Sequence, residues 1–192
     1  YFERRIMEAL YGKDYTDMLA LLGFQDLTSE LSSLEEDMQK LKLKLNGLHP
    51  DDAMSDIAYE KGYFFLRMLE EKKGRAKLDS FLKNYFDDHK FQTITTEEFL
   101  TYLDQNLLQG EEAGLMINQW VYQSGLPENC PKVWSNRFVQ AEKAVDVFLK
   151  KGVDNIVDAS GDWSTHEWLH FIKHLPENIN KRQLEKLDET FN

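Results

Sequence analysis

Apolar residues recur three and four positions apart along almost the whole 192-residue chain, and this spacing most limits the fold. A 3.6-residue period gathers such residues on one face of a helix, whereas a half-buried strand would alternate. Phe2, Ile6, Ala9 and Leu10 share a face, so residues 1–11 read as a helix that Gly12 ends. Tyr15, Met18, Leu19 and Leu22 predict a second helix closed by Gly23, and Leu31, Leu34, Met38 and Leu41 a third. Leu41–Leu45 alternates with lysine and reads as either a short extended segment or a helix tail. Residues 62–70 are apolar on several sides, as expected of a buried helix. Further helices are expected over 78–86, from the capping box Thr95-Thr96-Glu97-Glu98 to about Leu107, and over 113–122. Ser124–Pro131 then holds two prolines and a glycine, the mark of a linker. Beyond it, Phe138, Ala141, Ala144, Val145 and Phe148 predict one helix, with two more near 164–174 and 179–190. The expected fold class is all-α, with residues 1–124 as one domain, 125–133 as a linker and 134–192 as the start of another.

Composition narrows the function. At 42% hydrophobic the chain can bury a core. A net charge of −11 leaves no basic footprint for nucleic acid. No apolar run approaches the length of a membrane span. The one cysteine, Cys130, excludes an internal disulfide framework. The chain opens without Met on Tyr1-Phe2-Glu3-Arg4-Arg5-Ile6, which reads as the middle of a helix. It is therefore expected to be a piece of a longer protein, with any targeting segment elsewhere. The compartment stays open between the cytoplasm and bacterial export.

The most literal motif is His166-Glu167-Trp168-Leu169-His170. Two histidines four apart on a helix can bind zinc, with the glutamate as general base. Glu189 follows His170 at the spacing at which one large class of zinc peptidases places its third ligand. The local context argues otherwise. Ser164 stands three residues before Glu167, so the pair reads as a capping box and places His166 in the first helical turn. Trp168, Leu169 and Ile172 are expected on the apolar face, leaving His166, His170 and Lys173 on a polar stripe. No metal is expected at this motif.

A quieter motif lies after the Pro50-Asp51 turn: Ala58-Tyr59-Glu60-Lys61-Gly62 places one tyrosine at a helix start. On spacing alone its ring packs there, or its phenol donates a hydrogen bond from a fixed scaffold. Ala58-Tyr59-Glu60-Lys61-Gly62-Tyr63 resembles the Y-E-K-G segment of zinc aminopeptidases related to aminopeptidase N, most of all the leukotriene A4 hydrolase branch. Other blocks agree in order: Tyr1-x-Glu3-Arg4, Pro50-Asp51, Phe81-Leu82-Lys83, Ile94-Thr95-Thr96 and Trp120-x-Tyr122-x-x-Gly125-Leu126-Pro127. The resemblance covers essentially the whole chain. It implies the C-terminal helical half of a thermolysin-like catalytic domain, followed by the start of a superhelical C-terminal domain. It also implies a parent enzyme that removes N-terminal residues from peptides with a zinc cofactor whose ligands lie upstream of Tyr1. Within the chain it implies Tyr59 as donor to the oxyanion, Asp51 as a residue lining the substrate channel, and Glu3 as support for a zinc-ligand histidine. The bland readings are a turn cap for Asp51 and a solvated helix charge for Glu3. Met54 stands where the leukotriene branch carries another tyrosine, which favours peptide over epoxide hydrolysis. The isolated chain is then expected to bind no catalytic zinc and to be inactive, its partners being the peptide substrate and the rest of the catalytic domain. Two competing readings make different demands. A non-enzymatic helical interaction module would bury Tyr59 without a cleft. A small stand-alone zincin would point His166 and His170 together at a metal.

Overall fold

The computed structural model describes residues 1–45, 47, 49, 51 and 54–191. Pro50, on which part of the turn reading rests, lies outside the described residues. Among those described there are helices and turns and no strand. In chain order the helices are α1 (Phe2–Tyr11), α2 (Lys13–Ser33), α3 (Gly62–Lys73), α4 (Arg75–Asp88), α5 (Thr96–Leu103), α6 (Ile117–Tyr122), α7 (Asn136–Lys151), α8 (Val157–Ser160), α9 (Thr165–Lys173) and α10 (Lys181–Phe191). Two π turns, Ile57–Lys61 and Asp104–Leu108, sit directly before α3 and after α5.

Three boundaries depart from the expectation. Gly23 does not end a helix: α2 runs through it to Ser33. The expected third helix is instead the end of α2 and a 3₁₀ turn at Glu36–Gln39, because Gln39 folds back to cap α2. Its amide donates to the carbonyls of Leu31 at 2.9 Å and Leu34 at 2.7 Å, two of the acceptors that a helix end leaves free. Residues 112–116 are turns, and α6 begins only at Ile117. The capping box at α5 is present, with the Glu98 carboxylate accepting the Thr95 amide at 2.6 Å. Leu41–Leu45 joins no helix, although the Lys42 amide donates to the Val121 carbonyl at 3.0 Å.

The chain forms two compact units, residues 1–5 with 22–133, and residues 6–21 with 134–192. In the first, Phe64, Met68 and Leu69 of α3 are buried with Leu78, Leu103, Leu108 and Trp120. Each such side chain withdrawn from water contributes roughly 1.5–3 kcal/mol, so α3 is held firmly from behind. In the second, Ala141, Val145 and Phe148 of α7 pack with Val153, Ile156 and Phe171. Gly152, at φ +89°, ends α7 in a conformation that L side chains rarely adopt. No described helix is long and apolar enough to cross a membrane.

Candidate functional site

Tyr59 lies in the π turn Ile57–Lys61, which runs straight into α3. Such turns carry an i→i+5 bond in place of i→i+4 and are rare; they recur at functional sites because they re-aim a side chain without breaking the helix. Ile57 and Lys61 point inward, at 2% and 0% exposure, while Tyr59 between them is 59% exposed. Its phenol makes no hydrogen bond among the described residues. The entry to the turn is pinned by the Asp56 amide donating to Glu30 Oε1 at 3.3 Å and the Ile57 amide donating to Ser55 Oγ at 3.3 Å.

Both residues that follow Tyr59 are anchored. Glu60 receives the Arg4 guanidinium on both carboxylate oxygens at 2.8 Å, and the two side chains are only 20% and 14% exposed. Arg4 also lies 3.9 Å over the Tyr63 ring, a cation–π contact on the next turn. This pair explains Gly23. A Cβ there would fall 2.1 Å from Glu60 Oε2 and 2.3 Å from Arg4 Nη2, so any larger residue would have to push the ends of these two side chains aside. Arg5 extends the clamp to α4, donating to Asp79 at 2.7 and 3.1 Å and to the Tyr1 hydroxyl at 3.1 Å. That hydroxyl donates to Glu70 of α3. Burial, then the Glu70 carboxylate, pushes the Tyr1 phenol well above its usual range.

Lys61 is fully buried, and its ammonium donates to two main-chain carbonyls, Gln39 at 2.9 Å and Gln123 at 2.8 Å. Burial lowers its pKa from 10.5 to about 8. Gln39 in turn accepts the Gly125 amide at 3.0 Å, and Trp120 Nε1 donates to Asn129 at 3.0 Å. The Tyr59–Gly62 segment and the Trp120–Pro127 segment, remote in sequence, are thus one physical assembly. The sequence pattern marks Gly23 only as a helix end and assigns no role to Arg4, Lys61 or Gln39. A buried lysine is visible there only as a cation between Tyr59 and an apolar run.

Asp51 is exposed; its amide donates to His49 Nδ1 at 3.3 Å and its carbonyl accepts the Met54 amide at 3.3 Å. Glu3 is exposed on α1. No hydrogen bond or ion pair joins Tyr59, Asp51 and Glu3 to one another. Among the described residues, Tyr59, Asp51 and Glu3 form no donor group for a metal ion, so these three would not by themselves hold the zinc that the resemblance implies. Cys130 offers no nucleophile either, since burial raises its thiol pKa to about 11.

The His166–His170 motif is used otherwise. Glu167 Oε2 accepts the Ser164 amide at 2.8 Å and the Ser164 hydroxyl at 2.9 Å, capping α9, and takes Arg137 at 3.1 Å. The expected polar stripe is corrected: His170 is buried and stacked on Phe138, ring centroids 3.9 Å apart, while Leu169 and Ile172 are exposed. Imidazole and phenyl faces pack as well as two hydrocarbons, which a count of polar residues misses. Burial lowers the His170 pKa. Its Nε2 meets Glu142 at 2.9 Å, and the one donor group of three among the described residues is Glu142, His170 and His174, not His166, His170 and Glu189. The stand-alone zincin reading fails on that geometry.

The model of the peptidase family M1 domain matches residues 1–120, which hold the whole assembly around Tyr59 up to Trp120. The chain belongs to the M1 peptidase family. Leucine aminopeptidase 2 of Neosartorya fischeri is 37% identical over 134 residues, covering 66% of this chain and 22% of that protein. Leucine aminopeptidase 2 of Aspergillus niger is likewise 37% identical over 134 residues, with the same coverage of each chain. Among solved structures, the native leukotriene A4 hydrolase of Saccharomyces cerevisiae superposes with a TM-score of 0.76 at 26% identity, over 95% of this chain and 32% of that one. Yeast leukotriene A4 hydrolase in complex with bestatin gives 0.72 at 26% identity, over 96% of this chain and 32% of that one. The M1 chain here therefore spans about a fifth of the length of the curated relatives it matches. Its all-helical fold is that of the corresponding stretch of these neighbours.

Proposed function

We propose that this chain is part of a zinc aminopeptidase that removes N-terminal residues from peptides, and that Tyr59 donates a hydrogen bond to the substrate carbonyl oxygen as it gains negative charge. The observation that carries the reading is an exposed phenol on a backbone held from both sides by Arg4–Glu60 and by Lys61. A donor fixed in advance stabilises the transition state more than the ground state, because its orientation costs nothing at the moment of reaction. The exposure of Tyr59 also goes against the interaction-module reading, which requires it buried. In this proposal residues 1–124 belong to the catalytic domain, 125–133 link it onward and 134–192 begin a helical domain. Asp51 lines the substrate channel and Glu3 supports a zinc-ligand histidine outside this chain. The apolar face of α1, where Phe2, Ile6 and Leu10 are 47%, 59% and 67% exposed, is the surface that the rest of the enzyme covers. The chain alone is inactive.

The test is Tyr59→Phe in the full parent enzyme, read on an amino-acid anilide. The expected result is a fall in kcat of about 10²–10³-fold with little change in KM, the usual effect of removing one oxyanion donor. An unchanged kcat in a folded variant overturns the role of Tyr59. Hydrolysis by the isolated 192-residue chain, abolished by Tyr59→Phe, overturns its dependence on the remainder of the enzyme.

A further inference from the structure

Three histidines stand four apart in α9 and its cap, His166, His170 and His174, so the helix carries two overlapping i, i+4 pairs. The structure uses the second. The rings of His170 and His174 lie 4.1 Å apart between centroids and are tilted by 36°, and Glu142 of α7 stands opposite, 2.9 Å from His170 Nε2 and 4.0 Å from His174 Nε2. The three ligand atoms all lie within 4.8 Å of one another. A tetrahedral zinc with bonds of about 2.0–2.1 Å needs its ligand atoms roughly 3.4 Å apart, so the two measured contacts bracket that spacing.

We propose that Glu142, His170 and His174 form a divalent zinc site that ties α7 to α9. Two features beyond proximity favour a site over a simple hydrogen bond. His174 Nδ1 donates to the His170 carbonyl at 2.7 Å, which fixes its tautomer and leaves the Nε2 lone pair facing Glu142. A histidine that ligates a metal commonly orients its other ring nitrogen in this way. His170 is locked by its face-to-face stack on Phe138, at an interplanar angle of 2°, so its ring needs no reorganisation. Glu142 and His174 are exposed, giving the ion a path in and water a place at the fourth position. Imidazole and carboxylate together suit zinc rather than calcium or magnesium, which prefer all-oxygen sites. When zinc is absent, His170 Nε2–H donates to Glu142. On binding, zinc takes that position and the imidazole proton sits on Nδ1, so the ring stays neutral and no charge is lost from it.

Zinc titration of the metal-free 192-residue chain, followed by calorimetry and thermal unfolding, tests this. One-to-one binding is expected, with a zinc-dependent rise in unfolding temperature. His174→Ala and Glu142→Gln, both at exposed positions, should weaken zinc affinity by about 100-fold or more, beyond what loss of a mere supporting partner does. His166→Ala should leave affinity unchanged. Magnesium should give no shift. Absence of one-to-one binding, binding that survives both His174→Ala and Glu142→Gln, or binding lost in His166→Ala overturns the proposal.

Discussion

The Tyr59 turn and the start of α9 each place a glutamate against an arginine, yet they leave opposite things exposed. In the first, Arg4 and Glu60 are both largely enclosed, the carboxylate is held by a side chain from another helix, and the adjacent phenol faces outward. In the second, Glu167 is 5% exposed and Arg137 32%, and the same carboxylate already caps its own helix through Ser164. A motif's chemistry depends on what its neighbours consume. The glutamate of the His166–His170 motif, the general base on a literal reading, is spent on a cap. The glutamate of the tyrosine motif is spent on holding a backbone, and that leaves the tyrosine free.

This difference predicts that Arg4→Ala costs much more than Arg137→Ala. Removing Arg4 leaves an enclosed carboxylate without its guanidinium, a loss of about 3 kcal/mol in unfolding free energy. Removing Arg137 leaves Glu167 two bonds from Ser164 and should cost about 1 kcal/mol. Urea unfolding of the two variants checks it, and equal losses would break the comparison.

Lys61 sharpens it through pH. Its folded pKa is about 8 against 10.5 for an ordinary lysine. Between those values the unfolded chain binds more protons, so stability rises with pH across that window. Relative to Lys61→Met, the native chain should gain up to about 3 kcal/mol between pH 7.5 and 10.5. Parallel pH profiles for the two proteins would mean that Lys61 is not enclosed as described.

A smaller effect than those at Arg4 and Lys61 is expected at Gly23. Glycine to alanine inside a helix ordinarily gains roughly 0.5–1 kcal/mol. Here the added methyl must displace the Arg4–Glu60 pair, so Gly23→Ala should instead lose about 1–2 kcal/mol. In an Arg4→Ala background the penalty should shrink, a non-additivity that a double-mutant cycle measures. A gain in stability in the unmodified background would place Gly23 among ordinary helix glycines.

Periodicity and capping made most helices readable, because both are local: Thr95 with Glu98 and Ser164 with Glu167 are three residues apart. What escaped was nonlocal. Gly23 looks like punctuation until Arg4 and Glu60 are seen to meet beside it. Lys61 looks like a surface charge until carbonyls 22 and 62 residues away close on it. Residue type alone places His170 on a polar face, and the stack on Phe138 of another helix overrides it. His174 was available to a pattern search at the same spacing as His166, but its partner Glu142 was not.

The buried lysine also bears on how this segment can diverge. Its acceptors at positions 39 and 123 are peptide carbonyls, present whatever side chain stands there. Substitution at 123 therefore leaves the contact intact, whereas inserting or deleting a single residue between 120 and 125 would carry the carbonyl away. Such a constraint acts on chain length and path, and leaves no trace in side-chain covariation between the two segments that it joins.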